Sequence, residues 1–122
     1  VLFANELKKI SHLLGNKFAS AGDFSQAVKY FTDAIKYNPT EFKLFGNRAF
    51  CFEKMQEYEK ALTDAELCLS MCPGWDKGLF RKGRALAGLK VNAHMLNPFI
   101  QELLTNRTLV LEEQQLNQLF HI

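Results

Sequence analysis

The chain has 122 residues, of which 48% are hydrophobic and 23% are charged, and its net charge is +2. These values exclude a disordered acidic tail, and so small a charge argues against binding to nucleic acid or to a membrane surface by bulk attraction. No apolar run approaches the roughly 18–20 residues that a membrane span needs. Three cysteines without an export signal predict a reducing compartment, by default the cytoplasm or the nucleus.

The first two predicted helices form a pair. The first carries an apolar stripe at spacings of three and four, made of Leu7, Ile10, Leu14 and Phe18. Gly22 ends this helix because glycine accepts a left-handed backbone, and Asp23 is the predicted N-cap of the second helix. The second stripe consists of Phe24, Ala27, Val28, Phe31, Ala34 and Ile35. Pro39 stops that helix, and Thr40 is the predicted cap of the third.

The same pattern returns at a spacing of 34 residues. Pro39 and Pro73 are separated by this distance, and small residues recur at it in the series Gly15, Ala49 and Gly83. Large apolar residues recur in the series Phe18, Phe52 and Leu86. One helix pair cannot bury its apolar face alone, so the units are predicted to stack. They span residues 8–41, 42–75 and 76–90, within a domain of residues 1–90.

These residues carry a resemblance to a known family. The order of Leu14, Gly15, Phe18, the Gly22-Asp23-Phe24 turn, Ala27, Phe31, Ala34 and Pro39 resembles the tetratricopeptide repeat. The resemblance covers residues 5–90. It implies an all-α fold in which antiparallel helix pairs stack into a right-handed superhelix. The first helices of the pairs then line a concave groove, where peptide ligands usually lie.

Five polar residues on the first helices resemble the carboxylate clamp of co-chaperones. That clamp holds the Glu-Glu-Val-Asp end of cytosolic heat-shock chaperones of the 70-kDa or 90-kDa class. The corresponding residues here are His12, Asn16, Asn47, Lys77 and Arg81. A lysine point charge and the planar fork of an arginine both suit carboxylates, while asparagine donates amide hydrogens without adding charge.

His12 departs from the family pattern, which usually has lysine there. Histidine is only partly charged at neutral pH, so the resemblance implies a weaker clamp whose affinity rises as the pH falls toward about 6. Phe50, Glu53 and Lys54 are expected to border an adjacent specificity region. There the Glu53 carboxylate is expected to repel an acidic peptide.

Nothing in the sequence indicates catalysis. It contains no glycine-rich phosphate loop, nucleophile elbow or zinc-protease motif, so we predict no enzyme activity and no cofactor. Cys68 and Cys72 lie one helical turn apart, but a structural zinc site needs four ligands, and no second pair is present. We therefore predict free thiols and no metal.

The repeat pattern ends after Lys90. Asn97 and Pro98 begin a further predicted helix, so residues 91–122 are expected to form a divergent helical segment. This segment could cap the stack, could dock a partner or a second copy through residues 97–122, or could follow a gap or a junction. Capping is favoured, because three leucines of the third unit, Leu79, Leu86 and Leu89, need cover.

The predicted function is a non-enzymatic interaction module that binds an acidic C-terminal peptide of a heat-shock chaperone. The main alternative is a scaffold that assembles through its convex face or its C-terminal helix and binds no chaperone tail. A third reading is a non-catalytic part of an enzyme whose catalytic domain lies outside this chain.

Overall fold

A computed structural model describes residues 2–93, and the predicted all-α fold is confirmed in them. Five helices follow one another without an intervening strand: α1 (Leu2–Ser20), α2 (Phe24–Tyr37), α3 (Phe42–Lys54), α4 (Tyr58–Met71) and α5 (Asp76–Ala93). α1 packs on α2, α2 on α3, α3 on α4, and α4 on α5, while α3 also contacts α5. No helix among these residues is both long enough and apolar enough to cross a membrane.

Two caps illustrate what local sequence predicts well and badly. Asp23 caps α2 as predicted, because its Oδ1 accepts a hydrogen bond from the Gln26 N–H at 3.3 Å. The prediction for Thr40 is wrong, since Glu41 is the N-cap of α3 and its carboxylate accepts from the Lys43 N–H at 3.5 Å. The Glu41 N–H donates to the Asn38 carbonyl at 3.3 Å. This closes a turn with Thr40 inside it, one residue before the cap.

The ends of α1 and α3 use the same hydrogen-bonded motif. The Asp23 N–H donates to the Phe18 carbonyl and the Glu57 N–H to the Phe52 carbonyl, each at 2.9 Å. In this motif the residue before the donor adopts the left-handed conformation. Gly22 does so with φ 81°, but its equivalent 34 residues later is Gln56, with φ 61°. A side chain therefore occupies a backbone conformation that glycine adopts more easily.

We expect Gln56→Gly to stabilise the protein by about 1 kcal/mol, because it removes the steric cost of a left-handed non-glycine residue. In a domain of this size that corresponds to a rise in melting temperature of about 4–8 °C, measurable by circular dichroism. Gly22→Ala is the matched control and should lower the melting temperature, since it introduces the same cost at the equivalent position. Equal shifts in the same direction would contradict this explanation.

The core consists of two clusters that follow the repeats. The first, contributed by α2 and α3, contains Ala27, Phe31, Ala34, Leu44 and Cys51. The second, contributed by α4 and α5, contains Ala61, Leu62, Ala85, Leu86 and Leu89. Small residues permit this packing: a Cβ atom added to Gly15 would lie 2.6 Å from the Phe31 ring.

The apolar stripe predicted for α1 is only partly buried. Ile10 is 50% exposed, whereas Ser11 and Gly15 are buried. The reason is tertiary: α1 is the first helix of the stack and packs on α2. The face toward α2 is therefore buried, and it is rotated away from the predicted stripe.

α5 continues past the predicted domain boundary at residue 90 and ends at Ala93. Leu79, Leu86 and Leu89, the leucines whose need for cover favoured a cap, are buried at 3%, 0% and 7% exposure, and Leu86 and Leu89 lie in one cluster with Ala61 and Leu62 of α4. The predicted helical segment of residues 97–122, together with its capping, docking and junction alternatives, lies outside the described residues.

One side chain, Arg48 of α3, connects three helices. Its Nε and one terminal nitrogen donate to the two carboxylate oxygens of Asp64 in α4, at 2.6 and 2.8 Å. Its other terminal nitrogen donates to the Thr32 hydroxyl in α2 at 3.1 Å. The side chain of Asp64 is only 4% exposed and that of Arg48 18%. Sequence reasoning missed this pair, because the three residues are 16 positions apart and share no motif.

Candidate functional site

Three of the five predicted clamp residues meet in one pocket. The pocket has a volume of about 300 Å³, and its walls come from four helices. Asn16 on α1, Asn47 on α3 and Arg81 on α5 supply its amide and cationic groups. The remaining lining residues are Ala19, Ser20, Phe31 and Phe50. The pocket thus combines an apolar floor with amide donors and one cation, a composition suited to binding an anionic group next to an apolar one.

The other two predicted residues, His12 and Lys77, do not line this pocket. His12 lies one turn before Asn16 on α1, half-buried, with its ring centre 6.3 Å from that of Phe31. Phe31 lines the pocket, so His12 contacts a lining residue without lining the pocket itself. Lys77 is exposed and lies one turn before Arg81 on α5. His12 is therefore in the middle of α1, and Lys77 is in the first turn of α5, on the two helices that bring Asn16 and Arg81 to the pocket.

Arg81 is the half-buried cation of the pocket. Its guanidinium carbon lies 4.4 Å from the centre of the Phe50 ring and 5.7 Å from that of Phe80. Burial lowers the pKa of Arg81 from its ordinary value, and the nearby Glu53 carboxylate acts in the opposite direction. An arginine nevertheless stays protonated at neutral pH, because its ordinary pKa is so high. The pocket therefore holds a positive charge that is partly withdrawn from water.

Glu53 is placed differently from what the sequence suggested. It is buried, and its Oε1 accepts a hydrogen bond from the Nε of Arg84 at 2.6 Å. This hydrogen bond is the main cause that raises the pKa of Arg84. The expected repulsion of an acidic peptide assumed an unpaired carboxylate, whereas the ion pair offsets its charge. Arg84 was missed because it is 31 residues from Glu53 and on another helix.

Of the three residues expected to border a specificity region, only Phe50 lines the pocket. Its ring packs edge-to-face against Phe24, with centres 5.8 Å apart and planes at 79°. Lys54 is exposed, and its Nζ lies 5.6 Å from the centre of the Phe50 ring. The assignment of Phe50, Glu53 and Lys54 to peptide specificity remains a prediction.

Cys51 and Cys68 are buried and Cys72 is half-buried, and none of the three forms a disulfide. Burial is the largest cause that raises the pKa of both Cys51 and Cys68, from an ordinary value of 9.0 to about 11. Within residues 2–93 the structure brings together no group of three side chains that could hold a metal ion.

We expect Cys72 to react with a thiol reagent in the native protein, and Cys51 and Cys68 to react only after denaturation, because only a thiolate attacks. Since folding raises these two pKa values, the buried neutral thiols contribute stability below pH 9.0, and this contribution is lost as the pH rises toward about 11. Counting reacted thiols with and without denaturant tests the order. Equal native rates for all three would contradict it.

Fold and pocket together define a helical-repeat protein. Residues 9–41 match the family model of the tetratricopeptide repeat, so this part of the chain is such a repeat, as the sequence predicted. Two solved structures share the fold at low sequence identity. The second TPR of Spaghetti (RPAP3) bound to the HSP90 peptide SRMEEVD has a TM-score of 0.65 and 21% identity, covering 90% of this chain and 98% of that one. The TPR2B-domain:pHsp70-complex of yeast Sti1 has a TM-score of 0.61 and 20% identity, covering 84% and 96%.

Two relatives have a higher sequence identity to this chain than the two solved structures. The Hsp70-Hsp90 organising protein of Plasmodium falciparum is 40% identical over 77 residues, which are 63% of this chain and 31% of that protein. The Hsp70-Hsp90 organizing protein 3 of Arabidopsis thaliana is 40% identical over 69 residues, 57% of this chain and 12% of that protein. The chain therefore spans less than a third of the length of these two relatives.

Proposed function

We propose that this chain is a non-enzymatic interaction module that binds the acidic C-terminal peptide of a cytoplasmic heat-shock chaperone of the 70-kDa or 90-kDa class. The observation that carries the proposal is the convergence of Asn16, Asn47 and Arg81, from three helices, on one pocket of about 300 Å³. The proposal is also supported by two relatives, both named Hsp70-Hsp90 organising proteins. The two solved structures are complexes with Hsp70 and HSP90 peptides.

The chemistry of the pocket suits a chain-ending aspartate. Such a residue carries two carboxylates a few ångströms apart, and holding both requires converging donors. Arg81 offers a planar fork, and the two asparagines offer amide hydrogens that engage the carboxylates and the peptide backbone. Lys77 and His12, beside the pocket, add charge at its rim. Hydrogen bonds to charged groups contribute about 1.5–3 kcal/mol each, so several of them support micromolar binding of a flexible tail after its ordering cost.

The test is the affinity of the full chain for a labelled peptide that ends in Glu-Glu-Val-Asp, compared with the same peptide carrying a C-terminal amide. Fluorescence polarisation should give a dissociation constant in the micromolar range for the free acid and binding at least about tenfold weaker for the amide. The amide keeps every side chain and loses only the terminal charge. Equal binding of the two peptides would overturn the proposal.

His12 makes this binding depend on pH. We expect affinity for the free-acid peptide to rise between about pH 8 and about pH 6, because protonated histidine attracts a carboxylate and neutral histidine does not. The same titration with His12→Ala is the control, and its profile should be flatter. If the two profiles coincide, His12 does not take part in the clamp.

A second candidate function is assembly through α5. Phe80 is 60% exposed and Val91 62% exposed, and their spacing of 11 residues, three helical turns, places them on the same face of α5. An exposed apolar face of this kind favours a scaffold protein that assembles through its outer surface. The clamp residues would then bind no peptide. Equal binding of the acid and amide peptides, together with self-association lost in Phe80→Ser, would support this candidate.

A further inference from the structure

The half-buried ring of Phe50 contacts three other side chains. Phe24 packs edge-to-face with it, with 5.8 Å between ring centres, on the side of the first core cluster, and the Lys54 Nζ lies 5.6 Å from its centre. The guanidinium of Arg81 lies over the ring, 4.4 Å from its centre. Phe50 is therefore a fixed platform on α3, and the cation that rests on it comes from α5.

Arg81 needs such a platform, because its long side chain loses considerable rotational freedom when it is held in one position. The alternative ring, Phe80, is 60% exposed and lies farther from the guanidinium, at 5.7 Å. Glu53 attracts Arg81, but its Oε1 already accepts the Nε of Arg84 at 2.6 Å. Of the two rings, Phe50 is the closer to the guanidinium and the less exposed.

A ring is also a suitable support for a binding cation. An aromatic face attracts a guanidinium electrostatically, and the attraction grows as the pair is withdrawn from water. Unlike a carboxylate, the ring adds no negative charge that would compete with a bound anion. A guanidinium held in this way keeps its charge and its N–H donors available for a carboxylate.

We propose that Phe50 is a positioning residue, which holds the Arg81 guanidinium at the pocket so that it can receive the terminal carboxylate of a bound peptide. This inference rests on the proposed function. It differs from the role expected from the sequence, because Phe50 acts through Arg81 and not by contact with the peptide side chains.

The experiment compares Phe50→Leu with Phe80→Leu, the same substitution in the two rings that flank Arg81. The full chain is titrated with the labelled Glu-Glu-Val-Asp peptide as free acid and as amide. Phe50→Leu should weaken binding of the free acid about tenfold and binding of the amide less, because the main loss is that of the cation–π contact that holds Arg81 for the terminal carboxylate. Phe80→Leu should change both affinities less than about twofold, and Phe50→Tyr, which keeps the ring, should bind like the wild type.

Two further measurements separate positioning from a structural role. In an Arg81→Ala background, Phe50→Leu should cause no additional loss, since a residue that acts through Arg81 has nothing left to position. In the free protein, the Arg81 Nε–H resonance should carry a ring-current shift that Phe50→Leu abolishes and Phe80→Leu retains. This second measurement needs no ligand, and Phe50→Met replaces Phe50→Leu if that variant does not fold.

The outcomes distinguish the two proposals. If the wild type binds acid and amide peptides equally, the proposed function fails, whatever Phe50 does. If the wild type prefers the acid but Phe50→Leu and Phe80→Leu behave alike, the proposed function stands and the positioning role of Phe50 is overturned. Additive losses in the Arg81→Ala background would likewise overturn it, because they would indicate a direct contact between Phe50 and the peptide.

Discussion

Asp64→Ala is expected to lower the free energy of unfolding by about 3–5 kcal/mol, the largest effect on stability that we predict for a single substitution here. The carboxylate accepts two hydrogen bonds from Arg48, at 2.6 and 2.8 Å, in a site where its own side chain is 4% exposed. Removing it leaves a guanidinium charge unpaired between α2, α3 and α4. Trp75, the only tryptophan, packs edge-to-face against Phe42 and reports unfolding by fluorescence in a denaturant titration.

Asp33→Ala is the matched control. Asp33 forms an ion pair with Lys36 at 3.7 Å, but the two side chains are 50% and 71% exposed. Exposed pairs contribute about 0–1 kcal/mol, so this variant should unfold almost like the wild type. Replacing both Arg48 and Asp64 by apolar residues of similar volume should recover much of the loss, because no charge is then left unpaired. A loss in Asp64→Ala no larger than that in Asp33→Ala would show that the buried pair is not needed for stability.

Arg81→Ala is expected to weaken binding of the free-acid peptide about 10- to 100-fold, the equivalent of the 1.5–3 kcal/mol typical of a hydrogen bond to a charged group. Arg81 supplies the cation that lines the pocket together with Asn16 and Asn47. The amide peptide should be affected far less, since it lacks the terminal charge. Arg81→Lys should lie between the wild type and the alanine variant, because lysine keeps the charge and loses the bidentate fork.

Lys29→Ala controls for the loss of a positive charge as such. Lys29 is exposed on α2 and does not line the pocket. Its removal lowers the net charge by the same amount as Arg81→Ala, so general attraction of an acidic peptide changes equally in the two variants. We expect affinity to fall less than about twofold in Lys29→Ala. If both variants lose affinity to the same extent, Arg81 contributes only to the overall field and not to a clamp.

Much of the candidate site was predicted because its residues resemble the carboxylate clamp of tetratricopeptide-repeat co-chaperones. Asn16 and Asn47 were identified on successive first helices, and Arg81 one turn after Lys77 on the third. Since the helices of such a stack pack side by side, residues at related positions face the same hollow. The structure indeed brings Asn16, Asn47 and Arg81 into one pocket. His12 lies on the predicted helix but does not line the pocket, and its ring contacts that of Phe31, which does.

The contacts that the charged side chains of the site make, such as Glu53 with Arg84 and Arg81 with Phe50, were not predictable. The sequence predicted that Glu53 repels an acidic peptide, but it did not indicate that Arg84, 31 residues away on another helix, pairs with this carboxylate. No periodicity links the two residues. Whether a long side chain meets a partner depends on the distance and the angle between helices, which are properties of the packed stack. The same holds for the Phe50 ring beneath Arg81.

By itself the amino-acid order determined the helices and their pairing at a spacing of 34 residues, because hydrophobic periodicity and turn residues act over a few neighbours in the chain. The site residues were predicted through the resemblance to the carboxylate clamp. Only the tertiary structure decided that Arg48 joins three helices, that Glu53 pairs with Arg84 and that Leu86 and Leu89 of α5 are buried against Ala61 and Leu62 of α4. These outcomes depend on which surfaces meet when the helices pack. That information is spread over residues far apart in the chain and is absent from any local pattern.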